Sequence, residues 1–195
     1  MIRALFGGSF DPVHNGHVAV VDHLLRTGLA DHVHVVPARR SPHKGQDAAD
    51  PAVRLELARL AFAGRPGVTV DDRETRRPGP SYTVDTVREL ADEHPGDRWR
   101  LVIGADNLAG LGTWHEAEAL LRLVEVVVMP RDGARPQLPL DIAPERVLLV
   151  DDFDEPVSST AIRAMLAAGK LPVDALPAAV ASRIRAGGLY GPGRT

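Results

Sequence analysis

Residues 2–25 read IRALFGGSFDPVHNGHVAVVDHLL, and the order of features within them sets the fold. IRALF at 2–6 is a short, mostly apolar run that reads as a buried strand, while Val18, Val21, Leu24 and Leu25 recur at helical spacing. Between them lie Gly7, Gly8 and Gly16, an Asp11-Pro12 turn step, and two histidines three positions apart, His14 and His17. Strand, glycine-rich turn and helix in immediate succession are the opening of a βα unit.

The pattern repeats outward along the chain. HVHVVP at 32–37, VTVDD at 68–72, RLVIG at 100–104, VEVVVMP at 124–130 and RVLLV at 146–150 read as further buried strands. Helical spacing fills the gaps, with Leu55, Leu57, Leu60 and Ala61 in one segment and Val84, Val87 and Leu90 in another. Strands alternating with helices predict an α/β fold: a Rossmann-like, doubly wound, mainly parallel sheet covered on both faces. After Asp151 only helical patterns remain. SSTAIRAMLAAG has hydroxyl residues at its start and Gly169 at its end, and PAAVASRIRAGG runs from Pro177 to Gly187. The expectation is a single domain over 1–195, with an α/β core at 1–150 and a C-terminal helical appendage at 151–195. Two Pro-, Gly- and charge-rich stretches, 39–52 and 131–145, read as mobile loops.

Composition narrows the function. The chain of 195 residues contains no Cys, which excludes disulfides and thiolate metal sites. The opening lacks the basic start, long apolar run and cleavage site of a secretory leader, and the apolar runs fall far short of the roughly 20 residues that span a bilayer. A cytoplasmic protein without a membrane partner is the expectation. A net charge of −3 gives no footprint for a nucleic-acid polymer, so any phosphate must be met in a local pocket. The sequence leaves a homo-oligomer open.

In open doubly wound sheets, ligands bind beyond the carboxyl ends of the strands where strand order reverses, and the histidine segment follows the first strand directly. A helix starting near His14 puts His14 and His17 on one face of its first turn, beside backbone N–H groups and the positive end of the helix dipole. That place attracts anions. The segment matches neither the Walker nor the dinucleotide fingerprint. Histidines so placed also serve as hydrogen-bonding loop residues, whereas a zinc site lacks the HExxH pattern and any Cys. His34, alternating with Val33 and Val35, reads as a structural strand residue. A second candidate cradle is VSSTAIR at 157–163, where hydroxyls, helix-start N–H groups and Arg163 come together; its plainer reading is an N-cap with a surface Arg.

These two segments carry a resemblance. GGSFDPVHNGH and SSTAIR are similar to the two signatures of the HxGH nucleotidyltransferase superfamily, and within it the chain most resembles the bacterial nicotinate-nucleotide adenylyltransferase family. SPHK at 41–44 resembles the family's PPHK loop, DDRETRRPGPSYTVDT at 71–86 its E-x-x-R-x-x-x-S-Y-T-x-D-T region, and IGADNLAGLGTWHEAEAL at 103–120 its G-A-D…W segment. The resemblance extends from Met1 to Tyr190. Phosphopantetheine adenylyltransferases usually carry Thr at the position of His14. Three positions depart from the pattern: Ser41 for the first Pro of PPHK, Val157 for Ile, and Arg183 where the last helix commonly has Tyr.

The resemblance implies an ATP-dependent adenylyltransferase of NAD biosynthesis: nicotinate mononucleotide attacks the α-phosphorus of ATP, giving nicotinate adenine dinucleotide and pyrophosphate. It assigns His14 and His17 to the ATP phosphates, Gly8, Ser9 and Phe10 to a backbone cradle, and Gly16 to leaving room for adenosine. Lys44 becomes a point charge for the triphosphate and the acceptor, and Ser159, Thr160 and Arg163 hold the β- and γ-phosphates. Gly104 and Asp106 fit a nucleoside contact, although Asp106 also suits a helix N-cap. Trp114 offers a stacking face for the pyridine ring and also fits a core position. Tyr82 and Thr83 sit at a helix start facing the nicotinate carboxylate, and Arg131 faces either the acceptor phosphate or solvent. Mg2+ is expected on the ATP phosphates, without a dedicated protein cage. Alternatives are a different acceptor, such as nicotinamide mononucleotide or phosphopantetheine, and a non-catalytic nucleotide-binding module. A metal hydrolase would have to draw on Asp71, Asp72, Asp151 and Asp152, which read as strand-end residues.

Overall fold

The computed structural model describes residues 1–40, 49–130, 143–153 and 155–191. All six expected strands are present: β1 (Ile2–Gly8), β2 (His32–Pro37), β3 (Val68–Val70), β4 (Arg98–Gly104), β5 (Val124–Met129) and β6 (Val147–Leu149). They form one sheet in the order β3-β2-β1-β4-β5-β6, and every neighbouring pair is parallel. Strand β1 is therefore flanked by β2 on one side and β4 on the other, with Leu5 in register with both His34 and Leu101. The order reverses at β1, which leaves a crevice at its carboxyl end.

Both faces of the sheet are buried, and successive strand residues alternate between them. Ala4, Val33, Val35, Val102 and Val127 join one apolar cluster, and Leu5, Val36, Leu101, Val126 and Val128 join the other. The first cluster is covered by α1 (Asn15–Arg26), α2 (Pro51–Phe62), α7 (Ser159–Ala167) and α8 (Ala178–Gly187). The second is covered by α4 (Thr83–Glu93), α5 (Ala105–Leu108) and α6 (Ala117–Leu123), and the short α3 (Arg73–Arg76) follows β3. The C-terminal helices place Ile162, Leu166, Val180 and Ile184 in the same cluster as Ala4 and Phe10. Arg183, which replaces the family's common Tyr, makes a two-pronged ion pair from α8 to Glu56 on α2, at 2.7 and 3.1 Å.

One helix face differs from expectation. In α2 the buried side chains are Arg54, Leu57, Ala58, Ala61 and Phe62, so the inward face is rotated away from Leu55 and Leu60. The rotation places the Arg54 guanidinium inside the protein, where backbone carbonyls receive it. The stretch predicted as a loop over 39–52 also ends earlier, because Asp50 caps α2 by accepting from the Ala52 N–H at 2.8 Å and Pro51 opens the helix. The rest of that stretch, 41–48, and most of the 131–145 stretch lie outside the described residues. A 3-10 turn covers Pro144–Arg146. No helix among the described residues is long and apolar enough to cross a membrane.

Two stability predictions follow from the packing. Leu120 on α6 is fully buried in the second cluster, so Leu120→Ala should lower unfolding free energy by about 2–5 kcal/mol in urea titration. His34 is buried on β2, and burial together with the neighbouring charges of His32 and Arg3 lowers its pKa from 6.5 to about 4. The unfolded chain takes up a proton there before the folded one does, so stability falls as pH drops from about 6.5 and levels off below about 4. The loss is on the order of 3 kcal/mol. Urea titrations across that range should show His34→Gln flattening the dependence; an unchanged slope would place its origin elsewhere.

Candidate active site

A cavity of about 580 Å³ opens at the carboxyl ends of β1, β4 and β5, where Gly8, Gly104 and Met129 line it. Its size suits a small-molecule ligand. The starts of α1, α4 and α7 reach it through His14, Tyr82 and Ser159. Three helix N-termini, with their N–H groups and positive dipole ends, therefore converge on one space.

The histidine pair forms the wall beneath β1. His14 is the N-cap residue of α1 and is buried; its backbone N–H donates to Nδ1 of His17 at 3.2 Å. With Nδ1 accepting, the neutral His17 ring carries its proton on Nε2, which becomes a hydrogen-bond donor. The two rings lie 3.7 Å apart between centroids at 31°. Phe10 wedges below them, 4.9 Å from the His17 ring and edge-on to Phe6 at 5.4 Å. It does so in a left-handed backbone conformation, φ 49°, a strained state for a bulky residue that only a well-determined surrounding maintains. Asp11-Pro12 is a cis peptide.

Two glycines are explained by neighbouring side chains. A Cβ on Gly16 would stand 3.0 Å from Nδ1 of His14, so the missing side chain makes room for that imidazole. A Cβ on Gly104 would stand 2.5 Å from a carboxylate oxygen of Asp106, which folds back over the end of β4. Gly104 itself is the N-cap of α5, and Asp106 is the second residue of that helix, so the capping alternative for Asp106 does not hold. Asp106 lines the cavity.

At α7 the division of labour is finer than the motif suggests. Ser158 is the N-cap and accepts from the Ala161 N–H at 3.2 Å. Ser159 donates its hydroxyl proton to the Pro12 carbonyl at 3.0 Å, so the side chain ties α7 to the loop after β1. Of the two α7 hydroxyls that line the cavity, Thr160 is the one whose proton is not donated to that loop. Arg163 donates to the Asp11 carbonyl at 2.7 Å and reaches Thr160 Oγ1 at 3.5 Å, and it also lines the cavity.

On the opposite side, Tyr82 is the N-cap of α4 and Thr83 its first residue, both at the cavity. Trp114 is partly buried beside the second apolar cluster and also faces the cavity, so packing and stacking are compatible there. Gly8, Ser9 and Phe10 line it from β1. Every described candidate residue thus meets in one space, while Lys44 and Arg131 lie outside the described residues.

Three residues were not singled out from the sequence. His115 stacks on Tyr82, with centroids 4.1 Å apart, and lines the cavity. Glu74 is buried at the cavity wall, accepts from Thr86 Oγ1 at 2.7 Å, and has its pKa raised chiefly by burial against the opposing effect of the Thr86 and Ser81 hydroxyls. Arg54, wholly buried behind Ser9, donates to four backbone carbonyls. Its spacing with Leu57, Ala58 and Ala61 is that of an apolar helix stripe, and a cation on such a stripe was the available signal.

A parallel sheet whose switch point carries a histidine pair at one helix start and a hydroxyl-Arg set at another defines a nucleotidyltransferase, and residues 5–165 match the family model described as cytidylyltransferase-like. A "Probable nicotinate-nucleotide adenylyltransferase" of Aeromonas salmonicida is 37% identical over 205 residues, spanning 95% of each chain. One of Gloeobacter violaceus bearing the same name is 40% identical over 198 residues, spanning 95% of this chain and 94% of that one. The chain belongs to the nicotinate-nucleotide adenylyltransferase family. In fold it is similar to the Plasmodium falciparum nicotinic acid mononucleotide adenylyltransferase complexed with NaAD, with a TM-score of 0.76 at 18% identity over 97% of both chains.

The Gly16 contact is directly testable. In Gly16→Ala the added methyl presses on the His14 ring, 3.0 Å from Nδ1, while alanine favours the helix by about 1 kcal/mol. The expected result is a melting temperature close to that of the unmodified chain, together with a shifted His14 ring resonance by NMR.

Proposed function

We propose that this protein is a nicotinate-nucleotide adenylyltransferase, transferring AMP from ATP to nicotinate mononucleotide and releasing pyrophosphate, a step of NAD biosynthesis. The observation that carries this reading is the His14 N–H bond to His17 Nδ1, which fixes a donor at a helix start that faces a cavity of about 580 Å³.

The chemistry asks little of the residues beyond placement and charge. The 5′-phosphate of the acceptor is a monoester with a second pKa near 6, so at neutral pH it arrives ionised and needs no general base. One of its oxygens forms a bond to the α-phosphorus, the bond from that phosphorus to the β-phosphate oxygen breaks, and pyrophosphate leaves with the electron pair. Negative charge accumulates on the α-phosphate oxygens and on the leaving group, and donors already in place stabilise it. Nε2–H of His17 and the α1 start serve the α-phosphate side. Thr160, Arg163 and the N–H groups of α7 serve the β- and γ-phosphates, with Lys44 adding a point charge.

Asp106 accepts from ribose hydroxyls, and Gly104 lets the nucleoside approach the end of β4. For the acceptor, Trp114 supplies a stacking face and the helix start at Tyr82 and Thr83 meets the nicotinate carboxylate; Arg131, outside the described residues, is a candidate partner of the acceptor phosphate. Among the described residues no group of three or more His, Asp or Glu is arranged to hold a metal. Mg2+ would be held by ATP phosphates and water, with Asp11, Glu74, Asp106 and Glu155 the carboxylates that line the cavity. Bound there, the ion neutralises phosphate charge.

Incubation with ATP, Mg2+ and each candidate acceptor, following pyrophosphate and dinucleotide, tests the assignment. Nicotinate mononucleotide should turn over faster than nicotinamide mononucleotide or phosphopantetheine; equal rates would remove the acceptor assignment, and no turnover with any would favour a binding module. His17→Ala should lose on the order of 100-fold or more in kcat while keeping its melting temperature. Near-normal activity would contradict the phosphate role.

A further inference from the structure

The loop after β1 is held from outside by donors that bind its carbonyls. Arg54 on α2 has no exposed surface, and its guanidinium donates to Ser9 O at 2.6 Å, Ala38 O at 2.7 Å, Arg39 O at 2.9 Å and Ala49 O at 3.1 Å. Those carbonyls belong to three segments: the loop after β1, the exit of β2, and the approach to α2. Ser9 and Ala38 both line the cavity, and Arg54 stands behind them. A planar fork with five N–H donors can span such a set, which a single ammonium cannot.

The consequence for the site runs through one peptide plane. Ser9-Phe10 is trans, so fixing the Ser9 carbonyl toward Arg54 turns the Phe10 N–H the opposite way. Phe10 is the residue held at φ 49°, and its ring sits beneath His17. We infer that Arg54 is a positioning residue for ATP binding: its guanidinium locks the Ser9 carbonyl, and thereby holds the Phe10 N–H and the ring under His17 in the geometry that receives the triphosphate. This rests on the nucleotide reading of the cavity, and Arg54 acts on ATP only through the loop.

Three measurements decide it. In the unmodified protein, hydrogen exchange should show residues 8–13 and 49–54 opening as one unit with equal protection; independent, faster opening of 8–13 would overturn the inference without any variant. In Arg54→Lys, the KM for ATP should rise at least tenfold while the KM for nicotinate mononucleotide changes less than twofold. Leu120→Ala, on the far side of the sheet, serves as the control, since a comparable fall in melting temperature there should leave the KM for ATP unchanged. Equal effects of the two substitutions would make Arg54 merely structural. If the unmodified protein binds ATP yet turns over no acceptor, the proposed reaction fails, and ATP affinity by calorimetry replaces KM as the readout for Arg54.

Discussion

The position of β1, paired in parallel with β2 on one side and β4 on the other, is the constraint on which the rest of the molecule depends. Parallel strands need crossovers: the one from β1 runs outward to β2 over one face, and the one from β3 returns past β1 to β4 over the other, so the covering helices part and a crevice opens at the carboxyl end of β1. The chain must still leave that end and enter α1. It does so through a short segment with two glycines and a cis Asp11-Pro12 step, and that segment becomes the floor of the cavity. Histidines at the entry to α1 are at the site because the sheet reverses there.

Holding this segment is a problem of carbonyls. A loop that turns its N–H groups to a ligand turns many of its oxygens inward, and buried oxygens require donors. Three side chains from distant parts of the chain supply them: Arg54 to Ser9, Arg163 to Asp11 and Ser159 to Pro12. The same hydroxyl and guanidinium groups that read as phosphate ligands in the sequence are therefore partly occupied by the protein itself. Arg163 lines the cavity while gripping the loop.

The fold was legible because both faces of a parallel sheet give continuous apolar runs, and each of the six runs became a strand within a few residues of its expected bounds. The candidate site was legible because turn residues, histidines and helix-start hydroxyls stand out in a short window, and the fold brings them to one cavity. What stayed hidden depends on neighbours far away in sequence. Nothing near Ser159 announces that its proton goes to Pro12, and nothing near Gly16 says that the imidazole of His14 needs its space. Arg54 is the intermediate case. Leu55, Leu57, Leu60 and Ala61 mark the helix, but a cation is ordinarily turned outward, and the carbonyls that receive the guanidinium inside lie on three separate segments.

The bonds from α7 to the loop after β1 span 147 and 152 positions of sequence. A chain emerging from the ribosome has its first strand, glycine loop and histidine pair long before it has the residues that close the other wall of the cavity. Loop-closure entropy makes such distant contacts among the last to be worth forming. The nascent protein therefore passes most of its synthesis without the residues of α7 that complete this cavity wall.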